Sequence, residues 1–266
     1  MSKIPVRKQV GKYTLKTLGS QGRGKKIIVY GASGMGKTTL CSLLPNPAFL
    51  SLDGGADEIR HPETGEQLQG INLTTFVEVQ EALQSDMFDS VDTIVVDHVT
   101  ELQQLAQPFM FKTIKKEHGE TAKSIEDYGF HKGYRHWYDT MRLILQDCDR
   151  WIRKGKNVII IAQESISRSS QAGVEDFVKD GPELYHDKSV SILNSYVSWA
   201  DHVFRIEYSQ LVVNKKGKAN PVKTRQIRVH PDATFYAKSR TIPAEYDTVT
   251  FSKPEDDSIW RLLFDD

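Results

Sequence analysis

The sequence predicts an α/β fold: a mostly parallel central sheet flanked by helices, followed by a C-terminal antiparallel β extension. Three observations carry this. Short apolar runs alternate with helically spaced segments over the first two thirds of the chain, the pattern of a parallel sheet covered on both faces. The first run leads into Gly31-Ala32-Ser33-Gly34-Met35-Gly36-Lys37-Thr38, which fits the phosphate-binding pattern G-x-x-x-x-G-K-[ST], and a helix-forming stretch follows at once. Beyond residue 203 the β-like runs follow one another around a turn, Asn214-Lys215-Lys216-Gly217-Lys218.

Each element has its own warrant. Residues 1–24 are basic and glycine-containing, and read as an N-terminal arm: a loose lead-in or an edge hairpin. Lys25 to Tyr30 is a short buried strand. Lys37 to Leu44 has helical spacing, and Pro45 stops it. Phe49 to Leu52 is a second strand, ending at Asp53 before Gly54-Gly55. Residues 54–70 are loop. Thr74 to Leu83 is a helix with threonine at its cap and Glu78 following. Val91 to Asp97 is the next strand, and a helix follows from about Thr100 to Lys115. Residues 125–154 carry Tyr128, Tyr134, Trp137, Tyr138, Met141, Leu145 and Trp151 at helical spacing, a stripe that reads as a core-facing helix rather than a cofactor platform. Asn157 to Gln163 is a further buried strand. A long polar loop, 164–188, precedes a helix from Val190 to Trp199, and long loops in compact domains are often functional. Strands are expected at 203–207, 210–214, 224–229 and 234–238.

With 39% hydrophobic and 26% charged residues in 266, the chain has material for one large domain with a true core. Its formal net charge is zero, so any attraction to nucleic acid must come from a local patch. Cys41 and Cys148 have no metal-like spacing, which argues against a disulfide scaffold and suits a reducing cytoplasm. No apolar run reaches about 18 residues and no secretory leader is evident, so no membrane association is expected.

The chemistry converges on phosphate. Residues Gly31, Ala32, Ser33, Gly34, Met35, Gly36, Lys37, Thr38 and Thr39 form the candidate nucleotide cradle. Its glycines permit unusual backbone angles, its N–H groups make an anion nest, and Lys37 adds a point charge on the β- and γ-phosphates. A helix starting near Gly36 directs its positive end at the same anion. The expected ligands are ATP and Mg²⁺, the metal held by the Thr38 hydroxyl and, through water, by Asp97 at the end of Thr93-Ile94-Val95-Val96. The alternative for Asp97 is a cap on the following helix. Asp53 is the candidate water-activating carboxylate, with an Asx turn as its alternative. Gln163 is positioned to sense the γ-phosphate, or is simply a polar strand terminus.

This succession resembles the RecA-like P-loop NTPase core: P-loop, strand ending in an acid before Gly-Gly, acid-terminated strand, then strand ending in Gln. More closely, it resembles phage and prophage nucleotide-binding proteins with a minimal RecA-like ATPase core, some of them single-strand annealing recombination proteins. Ile125-Glu126-Asp127-Tyr128-Gly129, Gly155-Lys156-Asn157-Val158-Ile159 and Trp199-Ala200-Asp201-His202-Val203 are similar to that group. The resemblance covers roughly 25–242 as the ATPase domain and leaves 243–266 as an acidic C-terminal tail. It implies a protein of the cytoplasm of a bacterium or phage-infected host cell. It departs at Asp53, where RecA-like proteins usually carry Glu, so that hydrolysis is slow or water-relayed. Ala237-Lys238-Ser239-Arg240 resembles a Lys-x-Arg element whose cations reach a neighbouring subunit's nucleotide, which implies Lys238 and Arg240 as trans-acting residues and a homo-oligomer.

From Arg205 to Arg240 there are nine Lys or Arg against Glu207 and Asp232, a charge that suits phosphate contact with single-stranded DNA or a solvated face. Arg168 and Lys179 add to it, with Phe177 and Tyr185 as the nearby stacking aromatics. The tail holds seven acids together with Ile259, Trp260, Leu262, Leu263 and Phe264; it either docks on the body or recruits a recombination or replication partner. The functional expectation is an ATP-binding protein, a DNA-dependent ATPase of phage-type recombination or single-strand annealing. The alternatives are a nucleotide-gated assembly or loading factor with little turnover, and a small-molecule kinase.

Overall fold

The computed structural model describes residues 22–169, 177–213, 219–221 and 224–264. In chain order the elements are β1 (Lys26–Gly31), α1 (Lys37–Ser42), β2 (Pro47–Ser51), β3 (Gly70–Asn72), α2 (Phe76–Gln84), β4 (Thr93–Asp97), α3 (Val99–Thr113), α4 (Lys132–Arg153), β5 (Asn157–Ser169), β6 (Phe177–Pro182), α5 (Ile192–Trp199), β7 (His202–Tyr208), β8 (Leu211–Val213), β9 (Ala219–Pro221), β10 (Arg225–Arg228), β11 (Thr248–Phe251) and α6 (Ser258–Phe264). The main sheet runs β11-β10-β7-β1-β5-β4-β2-β3, with β6 paired to the outer half of β5. From β7 to β3 every pairing is parallel, and β10 and β11 continue the sheet antiparallel. This is the predicted architecture.

The sheet is buried on both sides, and the period of two along β1 shows it. Ile28 and Tyr30 point into a core built with α2, α3, α4 and α5. Ile27 and Val29 point into the other, built with α1, α6 and the β10–β11 extension. The aromatic stripe of α4 is core, as expected: Trp137, Met141, Leu145 and Trp151 are buried. The tail is docked rather than free. Its strand β11 pairs with β10, and Ile259, Trp260 and Leu263 of α6 are buried against the α1 face.

Several expectations are corrected. The polar stretch after Gln163 is no simple loop: β5 continues to Ser169 and pairs antiparallel with β6, from Glu164↔Pro182 to Ser169↔Phe177. Gln163 is therefore within a strand, at the point where parallel pairing ends. The helix expected over 125–154 starts only at Lys132, because Gly129, Phe130 and His131 all take positive φ and break it after a single 3-10 turn at Glu126–Tyr128. Residues 234–238 are not a strand. They make two isolated bridges, Asp180↔Phe235 and Val203↔Lys238, and so cross between two strands rather than line one. The basic tip at 214–218, Lys223, and the side chains of Arg168 and Phe177 lie outside the described residues.

Helix α2 opens with a capping box. The Thr75 hydroxyl accepts from the Glu78 N–H at 3.2 Å, and the Glu78 carboxylate accepts from the Thr75 N–H at 2.9 Å. Thr75→Ala is expected to cost about 1 kcal/mol in urea unfolding. A loss below a few tenths would show that the box contributes nothing.

Candidate nucleotide site

The site lies where β1, β2, β4 and β5 end their parallel pairing, the usual ligand position of open α/β sheets. Gly31 to Thr38 joins β1 to α1. Gly34 and Gly36 have φ of 76° and 81°, which side chains resist, and a Cβ on Gly31 would meet the Ile206 carbonyl oxygen at 2.5 Å. These three glycines are thus required by the loop's own backbone, independently of any ligand.

Lys37 is 6% exposed. Its Nζ donates to the carbonyls of Gly31 at 2.8 Å and Ala32 at 3.0 Å, and to Gln163 Oε1 at 2.9 Å. Burial lowers its pKa against the opposing pull of Asp97 and Glu164. The Thr38 hydroxyl donates to Asp97 Oδ2 at 2.7 Å. Asp97 is itself buried, and desolvation raises its pKa while the Thr38 hydrogen bond lowers it. Hydroxyl and carboxylate are hard oxygen donors of the kind Mg²⁺ takes, and a buried carboxylate pushed toward neutrality gains from a cation beside it, so this pair fits the metal.

Asp53 lies two residues beyond β2 rather than at the strand's end. Its Oδ1 accepts from the Gly55 N–H at 2.8 Å in a turn, while Oδ2 lies 3.2 Å from His98 Nε2. The His98 Nδ1 accepts from the Glu101 N–H at 3.1 Å as the cap of α3, which leaves the proton of the neutral ring on Nε2, facing Asp53. The cap that is the alternative role for Asp97 thus belongs to its neighbour. Gln163 is held by its own N–H to Thr100 Oγ1 at 3.1 Å and by its carbonyl to the Glu183 N–H at 2.8 Å.

These groups surround a cavity of about 430 Å³, floored by Ser33, Gly34 and Gly36 to Leu40 and walled by Asp53, Gly55, Ile59, Asp97, His98 and Gln163. Its remaining wall comes from the extension: Arg225, Phe251 and Pro254. A volume of this order suits a small-molecule ligand. A family model for the AAA domain matches residues 23–241. The chain belongs to the AAA domain family. Its P-loop fold supports ATP binding. Among solved structures, this AAA domain protein is similar to the RadB recombinase, at 15% identity and TM-score 0.46 over 84% of each chain. It is also similar to the flagellar accessory protein FlaH from Methanocaldococcus jannaschii, at 13% identity and TM-score 0.42 over 86% of this chain and 85% of that one. Comparison with curated proteins finds no match.

Lys238 and Arg240 lie outside the cavity. The Val203↔Lys238 bridge and the Ile28↔Val203 register put Lys238 level with Ile28, three residues and roughly 10 Å back along the strands from Gly31. Its Nζ donates to the Ala200 carbonyl at 2.6 Å and the Val197 carbonyl at 3.3 Å, satisfying the end of α5. Arg240 pairs with Asp201 at 3.2 Å and is more than half exposed. The basic count of 205–240 also shrinks in space. Arg205 is partly buried and paired with Glu164, Asp180 and Glu207, and Arg228 pairs with Glu207 and Asp247. Sequence reasoning missed His98, Arg225, Phe251 and Pro254. Only His98 had a local signal, as the residue between a strand-ending acid and a helix. Among the described residues no helix is long and apolar enough to cross a membrane.

Proposed function

We propose that this AAA domain protein is a Mg²⁺-dependent ATPase whose turnover is stimulated by single-stranded DNA, acting as a homo-oligomer in DNA recombination or strand annealing of the phage type. The observation that carries the reading is the convergence of Lys37, Thr38, Asp97 and Gln163 on one cavity, joined by hydrogen bonds of 2.7 to 2.9 Å. Lys37 leaves its carbonyl and Gln163 partners to bind the β- and γ-phosphates, and Thr38 and, through water, Asp97 would hold Mg²⁺, which would supply charge neutralisation on the phosphates. Asp53 Oδ2 accepts the proton of the attacking water, and His98 orients that carboxylate through Nε2. Gln163, freed from Lys37, reports the γ-phosphate along β5 to the β5–β6 hairpin, where Ile166 and Val178 are exposed and Lys179 pairs opposite Ser167. Of the two trans-acting candidates, Arg240 keeps the freer side chain and is the one we assign to a neighbouring subunit. A partner protein on the acidic tail can engage only its exposed face, because its apolar face is covered.

Turnover of ATP measured with and without single-stranded DNA tests this. Stimulated turnover supports it, tight ATP binding with no turnover supports the loading-factor reading, and phosphate transfer to a metabolite supports a kinase. Asp53→Asn is expected to lower turnover about a hundredfold while ATP affinity stays within threefold. Undiminished turnover in that variant would remove Asp53 from the mechanism.

A further inference from the structure

We infer that Arg225 is a phosphate-binding residue of the nucleotide site, acting from the same subunit, and that the antiparallel extension is therefore part of that site. This rests on the P-loop reading above and adds a cation that the motif does not contain. Arg225 is directly opposite Phe251 across β10 and β11, so both side chains share the face that packs over α1. At its open end this face forms a wall of the cavity. The Arg225 Nη1 donates to the Met35 carbonyl at 3.0 Å, inside the P-loop and 190 positions away in sequence. It also sits 2.6 Å from where a Cβ on Gly36 would be, so the guanidinium lies against the loop itself.

Charge makes the case. Arg228, three residues along the same strand, is paired with Glu207 and Asp247. Arg205, on the adjacent strand, is paired with three carboxylates. Among the described residues no carboxylate lies within salt-bridge distance of Arg225, although it is partly buried. A guanidinium has five N–H donors in a planar fork that matches phosphate oxygens, and here the described contacts occupy Nη1 alone. Among the described residues the cavity otherwise offers one fixed cation, Lys37, against Asp53 and Asp97. A triphosphate brings more negative charge than Lys37 and a divalent metal offset, and a second fixed cation at the rim supplies part of the difference. Arg225 is placed, with no carboxylate partner among the described residues and tethered to the loop's backbone, where that charge enters.

The test is titration of the full chain with Mg·ATP and with inorganic tripolyphosphate, for the parent, Arg225→Ala, Arg225→Gln, Arg225→Lys and Lys37→Ala. Arg225→Ala is expected to weaken both ligands tenfold or more. Glutamine can still donate to the Met35 carbonyl but carries no charge; it is expected to fail like alanine, and lysine to recover part of the loss. If Arg225→Gln binds both ligands within twofold of the parent, the residue only braces the loop and the inference is overturned, even where Arg225→Ala is unstable. If Lys37→Ala loses binding while every Arg225 variant keeps it, the inference fails and the P-loop reading stands. If the parent binds neither ligand, the P-loop reading itself has failed.

Discussion

Lys37→Ala is expected to abolish measurable Mg·ATP binding, with a loss of a hundredfold or more by calorimetric titration. The magnitude follows from the setting. Lys37 is 6% exposed, and its ammonium already sits over the mouth of the loop, tied to the Gly31 and Ala32 carbonyls and to Gln163. A phosphate entering there loses water and gains a preorganised charge in exchange. Truncating one partner of such a buried pair costs about 3 to 5 kcal/mol, because the other charge is left without compensation. The folded chain itself is expected to tolerate the change. Burial already penalises the charged amine, as its lowered pKa records, and the released acceptors face a cavity large enough for water. Urea unfolding without ligand should therefore move by about 1 kcal/mol or less. A variant that binds ATP like the parent sinks the nucleotide reading. One that fails to fold shows that Lys37 is mainly structural.

The P-loop was legible because its chemistry is local: glycine angles, one lysine and one threonine within eight positions, between a strand and a helix. The buried parallel strands were legible because both faces are apolar. The β5–β6 arm was not, because outside the sheet it has no core to write a pattern; Ile166 is 73% exposed and its neighbours are polar. The aromatic spacing of 125–154 concealed a break, since Tyr128 packs into the same core as Trp137 without sharing its helix. Alternating burial of Phe235 and Ala237 imitated a strand that only bridges its neighbours. At the site, Asp97 and Gln163 could be placed from their strands. Arg225 and Phe251 could not, because they reach the cavity through the order in which distant strands assemble, and nothing in a linear sequence states that β10 lies beside β7. The ion pairs that consume Arg205 and Arg228 were hidden for the same reason.

Trp260→Ala is expected to destabilise the protein by about 4 kcal/mol, the largest stability loss anticipated here. Trp260 is 3% exposed and belongs to the core that joins α6, α1 and the extension, with its ring 6.2 Å from that of Phe204. Truncating a buried aromatic of this kind costs about 3 to 5 kcal/mol. Its Nε1 also donates to the Leu40 carbonyl at 2.7 Å, on the helix that carries Lys37 and Thr38; that carbonyl keeps a second donor, the Leu43 N–H at 3.3 Å, so the lost hydrogen bond itself adds about 1 kcal/mol. Trp260→Phe separates the two contributions: it retains most of the packing and is expected to lose about 1 to 2 kcal/mol, mainly the hydrogen bond. Since domains hold only about 5 to 15 kcal/mol in total, the alanine variant should be visibly less stable at 25 °C and depend on ligand to stay folded. ATP at about a hundred times its Kd should restore about 2.7 kcal/mol through linkage, provided the P-loop still closes on it. Recovery of that size means that α6 supports α1 without shaping the cradle. Loss without recovery means that the helix behind the P-loop is set by the tail, and a cost below 1 kcal/mol for the alanine variant would mean that the tail does not dock at all.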